Sequence, residues 1–289
     1  MIACCSLISG RMVSTEESEI TMSGQIETVH TDGFSMDYFR FGHGKTVLVI
    51  LPGLSIDSVM KYANAVAAAY RPLTNDFTIY LFDRRKELPE PYTVYDMARD
   101  TAAAIRTLGL GKVSIFGASQ GGMIAMIIAA EHPDLVSKLA LGSTTDCIDE
   151  KHDSIFKKWI CLAEAGNAKE LCLAFGEAIY PPAVFEQYRD ALAIYAESVT
   201  EQDLSRFIIL TEGMKGFDIT DKLQNIICPV LIIGSRDDGV LGPEGSEQIA
   251  EKLKNLQDVE LYLYDGYGHA VYDLAPDYKE RLLRFLCQE

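Results

Sequence analysis

Among the 289 residues of this chain, Ser119 is the side chain best placed for covalent chemistry. It stands in Gly117-Ala118-Ser119-Gln120-Gly121-Gly122, directly after the apolar run Val113-Ser114-Ile115-Phe116 and before a helical pattern. G-x-S-x-G at a strand-to-helix junction is a nucleophile elbow. The glycines answer to crowding: a side chain at 117 or 121 would collide with a neighbouring strand or helix. The bend presents the hydroxyl at a helix N-terminus, where backbone N–H groups favour developing negative charge. Such a pentapeptide arises by chance in roughly one comparable chain in ten, so its strand-turn-helix setting carries the weight.

A serine hydroxyl is a weak nucleophile without a general base, and the base needs a third group to orient it. The five histidines are His30, His43, His132, His152 and His269. His30 falls in an N-terminal hairpin, His43 in a Gly-His-Gly turn, His132 before Pro133 at a helix end, and His152 at the start of a helical region. His269 stands in Gly266-Tyr267-Gly268-His269-Ala270, after the last strand pattern. That loop can swing an imidazole over the strand ends, so His269 is the expected base. For the acid, Gly234-Ser235-Arg236-Asp237-Asp238-Gly239 follows another apolar run and offers two carboxylates. Asp237 is the first choice, Asp238 the alternative, and Asp146 an outside candidate after a different strand. The acid would hold His269 in the required tautomer and stabilise its imidazolium.

The elements that must position these residues alternate strand, turn and amphipathic helix. Apolar runs at 46–51, 77–82, 113–116, 139–141, 230–233 and 261–264 suit parallel strands covered on both faces. Helical patterns cover 58–70, 95–108, 120–131 and 276–285. Segments 25–31 and 35–41, joined around Asp32-Gly33, read as an antiparallel edge hairpin. The alternation predicts an α/β fold with a mostly parallel central sheet and helices on both faces. Residues 147–223 show helical periodicity only and read as a cap inserted after the sixth strand. The expected core is then 24–146 and 224–289, with 1–23 a flexible tail. Most apolar residues of the cap read as internal packing, with Trp159 a candidate for lining an acyl pocket. Arg84 and Arg85 read as a solvated loop, in preference to a carboxylate-binding rim.

Composition narrows the partners. A formal charge of −16, from 26 Lys plus Arg against 42 Asp plus Glu, opposes binding to phosphate backbones and anionic membranes. No apolar run approaches the roughly 18 residues of a spanning helix. The seven cysteines (4, 5, 147, 161, 172, 228 and 287) lack the spacing of a disulfide framework, which suits reduced thiols and a cytoplasmic location.

The order Ser, Asp, His is that of α/β-hydrolases. From about Gln25 to Leu286 the sequence resembles the serine-nucleophile, capped branch of the α/β-hydrolase superfamily. The resemblance rests on Leu51-Pro52-Gly53-Leu54-Ser55, Gly117 to Gly122, Cys228 to Gly234 before Asp237, and Gly268-His269. It implies an oxyanion hole made by the backbone N–H groups of Leu54 and Gln120. Many relatives carry His-Gly where this chain has Pro52-Gly53, and many carry a glycine-rich turn after the strand that ends before Arg84. The branch includes esterases, enol-lactone hydrolases and proline iminopeptidases. The expected activity is hydrolysis of a small or medium carboxylic ester, thioester or lactone, with no metal or organic cofactor. An aminopeptidase would use cap acids such as Glu164, Glu177 or Glu186 to hold a substrate amine. A non-catalytic ligand-binding role is the remaining alternative.

Overall fold

The computed structural model describes residues 24–288; the expected tail, with Cys4 and Cys5, lies outside them. Eight strands form one sheet: β1 (Gln25–His30), β2 (Ser35–Gly42), β3 (Thr46–Leu51), β4 (Phe77–Arg85), β5 (Val113–Ala118), β6 (Val136–Gly142), β7 (Val230–Ser235) and β8 (Val259–Tyr264). Their order is β1-β2-β4-β3-β5-β6-β7-β8. The β1–β2 hairpin and the β2–β4 pairing are antiparallel, and the remaining neighbours run parallel. This is the α/β-hydrolase fold.

Parallel strands buried on both faces need apolar residues at successive positions, not alternate ones. In β3, Val49 and Leu51 join one buried cluster while Leu48 and Ile50 join the other. In β7, Val230 and Ile232 face one way, Leu231 and Ile233 the other. The first cluster takes in α2 (Val94–Thr107) and α3 (Gln120–Glu131); the second takes in α1 (Ala63–Ala69) and α10 (Tyr278–Cys287). Helix α3 is buried from Gln120 to Ala130. An all-round apolar helix is what a position between the sheet, α2 and the Thr220–Asn225 turn requires.

The single helix expected over 58–70 is divided. A 3-10 turn, Val59–Tyr62, is capped by the Ser58 hydroxyl, and α1 follows after Tyr62 leaves helical geometry at φ −119°. Strand β4 also runs three residues past Phe82, because Arg85 pairs with Met36 of β2. Arg84 and Arg85 therefore belong to a strand, which corrects the loop reading.

Between β6 and β7 lie four helices: α4 (Glu150–Glu164), α5 (Ala168–Ile179), α6 (Pro182–Ala196) and α7 (Glu201–Glu212). Capping boxes at Asp149 and Thr200 start α4 and α7. The chain leaves and re-enters the core side by side, since Ile148 N donates to Phe217 O and Ile219 N to Asp146 O. This is the helical cap after the sixth strand. Helix α8 (Gly242–Leu253) and the short α9 (Val271–Leu274) complete the described α-helices, and 3-10 turns at Arg71–Leu73 and Thr220–Asn225 complete the described elements.

Candidate active site

Strands β3, β5, β7 and β8 run parallel, so the loops leaving them gather at one edge of the sheet. Leu54, Ser119, Asp237, Asp238 and His269 sit in those four loops, Gln120 opens the helix after β5, and Asp146 follows β6.

Ser119 follows β5 with φ 52° and ψ −121°, a backbone conformation that costs a non-glycine residue roughly 1–3 kcal/mol. Surrounding bonds hold it there: its N–H donates to Gly142 O at 2.8 Å, and its carbonyl accepts from Gly122 N and from the Thr144 hydroxyl, each at 2.8 Å. The tight packing expected of the glycines is present. A Cβ on Gly117 would overlap the Gly121 carbonyl, and one on Gly121 would overlap the Leu51 carbonyl. A Cβ on Gly122 would lie 2.7 Å from the side chain of Thr144. The elbow is thus wedged between β3 and the loop after β6.

His269 is buried at 1% exposure and lies in the loop between β8 and α9. Its Nδ1 is 2.9 Å and 2.8 Å from the two carboxylate oxygens of Asp238. Asp238 is the partner, not Asp237. The turn after β7 explains the reversal of the first choice. Asp238 Oδ1 also accepts the N–H groups of Val240 (2.9 Å) and Leu241 (3.0 Å), which rotates its carboxylate inward. Asp237 is exposed, and its carboxylate accepts the Gly266 N–H outside the site. The sequence signal was the Asx-type turn: an Asp followed two and three residues later by free N–H groups leading into a helix. Asp146, the outside candidate, is held by Lys252 and by the Thr220 hydroxyl (2.8 Å) and does not face His269.

Ser119 and His269 line one narrow cavity of about 10 Å³. Leu54 and Met123 contribute further core-side walls, with Val240 and Leu241 beside the Asp238 turn. The cap supplies Phe156, Trp159, Phe175 and Ile179, with Met214 just beyond α7. Trp159 lines the cavity, 2% exposed, with its ring tilted 59° against that of Phe175 and the centroids 4.7 Å apart. Ser119, His269 and the indole N–H of Trp159 bring the polar side-chain atoms of that lining; the other lining side chains are apolar. Glu164, Glu177 and Glu186 are exposed and are not among the lining residues. Gln120 is the first residue of α3, so its N–H has no partner within the helix. Leu54 is buried beside Ser119 in the loop after β3.

Arg84 is the residue that sequence reasoning misplaced most. It is 4% exposed. Its Nη2 donates to Pro52 O at 2.8 Å and to Gln120 Oε1 at 3.0 Å. Arg85 lies further out, 3.6 Å from Asp100 and over the ring of Phe34. Among the described residues, no cluster of His, Cys, Asp and Glu has a metal-binding arrangement. No described helix is long and apolar enough to cross a membrane.

A family model described as the alpha/beta hydrolase fold matches residues 46–160. The chain is 27% identical over 223 residues to a Rhizobium rhizogenes protein named "Putative carbamate hydrolase RutD", covering 74% of this chain and 84% of that one. Its counterpart from Agrobacterium fabrum is 29% identical over the same shares. Among solved structures, an α/β hydrolase enzyme from a Medee basin deep-sea metagenome library superposes with a TM-score of 0.80. That match has 23% identity and covers 92% of this chain and 98% of the other. The enol-lactonase of Burkholderia xenovorans LB400 gives a TM-score of 0.77 at 18% identity, over 91% and 100%.

Proposed function

We propose that this chain, a member of the α/β-hydrolase superfamily, is a serine hydrolase that cleaves carboxylic esters, thioesters or lactones with a small or medium, uncharged, apolar acyl group. One observation carries the reading: a buried His269–Asp238 pair shares an otherwise apolar cavity with Ser119 at a nucleophile elbow. Buried charge is costly unless it is paired and hydrogen-bonded, and here the carboxylate has three donors. The arrangement fixes the imidazole with its Nδ1–H on Asp238, which leaves Nε2 as the free base.

In the mechanism His269 Nε2 takes the hydroxyl proton as Ser119 Oγ adds to the substrate carbonyl. The oxyanion is stabilised by the N–H groups of Gln120 and Leu54, each such donor being worth about 3–4 kcal/mol of barrier. The imidazolium, stabilised by Asp238, protonates the leaving oxygen or sulfur, and the acyl-enzyme forms. Water enters, loses a proton to Nε2, and releases the acid by the same steps in reverse. No step needs a metal or an organic cofactor.

The lining supports one substrate class over another. A free amine or carboxylate next to the scissile bond would be desolvated without a partner there. That disfavours the aminopeptidase reading, whose candidate acids all point elsewhere. The same relay would open a neutral carbamate ester, related to the bond in the bacterial relatives' name; a carbamate anion finds no cation in the lining.

Labelling with a fluorophosphonate and a panel of acyl nitrophenyl esters and neutral carbamates test the reading. Wild-type protein should label at Ser119 and turn over short apolar esters, and Ser119→Ala should do neither. Turnover undiminished in Ser119→Ala would refute it. A folded protein that neither labels nor hydrolyses would be a ligand-binding member of the fold.

A further inference from the structure

Both proposed oxyanion donors lie next to groups held by Arg84. Its Nη2 reaches the Pro52 carbonyl, two residues before Leu54, and the side chain of Gln120, whose own N–H is the second donor. A guanidinium is an expensive choice for a purely structural brace. It is fully buried, its Nε is unpaired among the described residues, and burial lowers it to about 10, Asp83 opposing that shift and Arg206 adding to it. A neutral side chain would brace the strand end without that desolvation cost.

The bonds continue into the cap. Gln120 Nε2 donates to Leu210 O of α7 at 2.8 Å. Asp83 accepts the Arg84 N–H at 2.7 Å and is also bonded by Arg206 of α7 and by the Ser58 hydroxyl. Lys61, three residues further, meets Asp203 of α7 at 3.2 Å. Helix α7 is therefore tied to the oxyanion loop through Asp83 and Arg84, and to the elbow through Gln120.

From this geometry we infer that Arg84 is a positioning residue for the oxyanion hole: it fixes the Pro52–Gly53 peptide, and so the direction of the Leu54 N–H, only while the seated cap holds Gln120 in place. The inference rests on the serine-hydrolase reading and adds to it a coupling between cap seating and transition-state stabilisation. The Pro52–Gly53 peptide carries two polar handles, the Pro52 carbonyl and the Gly53 N–H, and Arg84 holds the carbonyl. Gly53 leaves the next bond free to rotate, and an external clamp is what removes that freedom.

Arg84→Met removes both bonds and keeps most of the side-chain volume. A donor displaced by about 1 Å costs on the order of 100-fold in rate. Turnover number for a preferred ester should fall by that order with KM within a factor of about two, because ground-state carbonyls bind weakly to the hole. Affinity for a trifluoromethyl ketone, whose adduct places an oxyanion there, should fall in parallel, and Arg84→Lys should recover part of both. A residue that only stabilises the fold would lower the melting temperature and leave these ratios unchanged. Should Arg84→Met fail to fold, Gln120→Leu tests the same chain: it deletes the Arg84 and Leu210 bonds and retains the backbone N–H, with the same direction expected in kcat and ketone affinity. Wild-type kcat and ketone affinity in the folded variant, or a raised KM at unchanged kcat, would overturn the inference. Activity surviving in Ser119→Ala would instead overturn the hydrolase reading on which it rests.

Discussion

Replacing Asp238 by Asn separates the two acidic neighbours of the β7 turn and probes the proton relay directly. In the wild-type structure Asp238 Oδ1 accepts two backbone N–H groups, from Val240 and Leu241, and both carboxylate oxygens lie within 2.9 Å of His269 Nδ1. An asparagine has one acceptor oxygen, and two backbone donors claim it. Its NH₂ must then face Nδ1, which forces the imidazole to accept there and to carry its proton on Nε2. That tautomer cannot take the Ser119 proton. Loss of the correct tautomer in a triad costs about 10⁴ in rate, or about 5.4 kcal/mol at about 1.36 kcal/mol per decade. Asp237→Asn should stay within a factor of a few, because Asp237 is exposed and its carboxylate accepts the Gly266 N–H outside the site. Initial rates on an acyl nitrophenyl ester, with circular dichroism to confirm folding, measure both. A collapse in Asp237→Asn, or more than a tenth of wild-type activity in Asp238→Asn, would refute the relay assigned to Asp238.

Two further expectations concern stability. Gly121→Ala would drive a Cβ into the Leu51 carbonyl on a buried strand, for about 3 kcal/mol of destabilisation and a displaced Ser119. Gly166→Ala, at φ 69° in open space, should cost only about 1 kcal/mol, and thermal melts of the pair check the contrast. In the cap, Thr200→Ala should remove about 1 kcal/mol at neutral pH by breaking the capping box of α7. Burial pushes the Asp203 carboxyl up, but Thr200 and Lys61 outweigh it and hold the group below the usual carboxylate range. A depressed carboxyl stabilises fully above its unfolded value of about 4 and loses that stabilisation as pH falls through its folded value. The Thr200→Ala deficit should therefore shrink on acidification, and a gap of constant size from pH 7 down to about 3 would count against it.

The sheet was legible because buried parallel strands write themselves as unbroken apolar runs, and the elbow because its glycines answer to a backbone clash that any such turn must avoid. His269 stood out by elimination among five histidines. What the chain did not reveal was decided by bonds between distant segments. Asp237 and Asp238 are adjacent and chemically identical, and only the N–H groups of Val240 and Leu241 turn one of them inward. Arg84 looked like a charged residue in a loop because nothing local announces that β2 extends β4 to Arg85, or that Pro52 and Gln120 offer it acceptors. The division at Tyr62 was hidden for the same reason: the Ser58 hydroxyl that starts the 3-10 turn also reaches across to Asp83.

The aromatic rings that line the cavity with Ser119, those of Phe156, Trp159 and Phe175, form a connected series that continues from Phe175 to Phe207. Every one of them belongs to the inserted helices, whereas the proposed nucleophile, base and acid all leave the sheet. On the proposed mechanism, selectivity and reactivity are carried by different stretches of polypeptide. A laboratory seeking new substrates can reshape the ceiling while leaving the reaction centre's covalent neighbourhood untouched, provided α7 keeps its grip on Gln120.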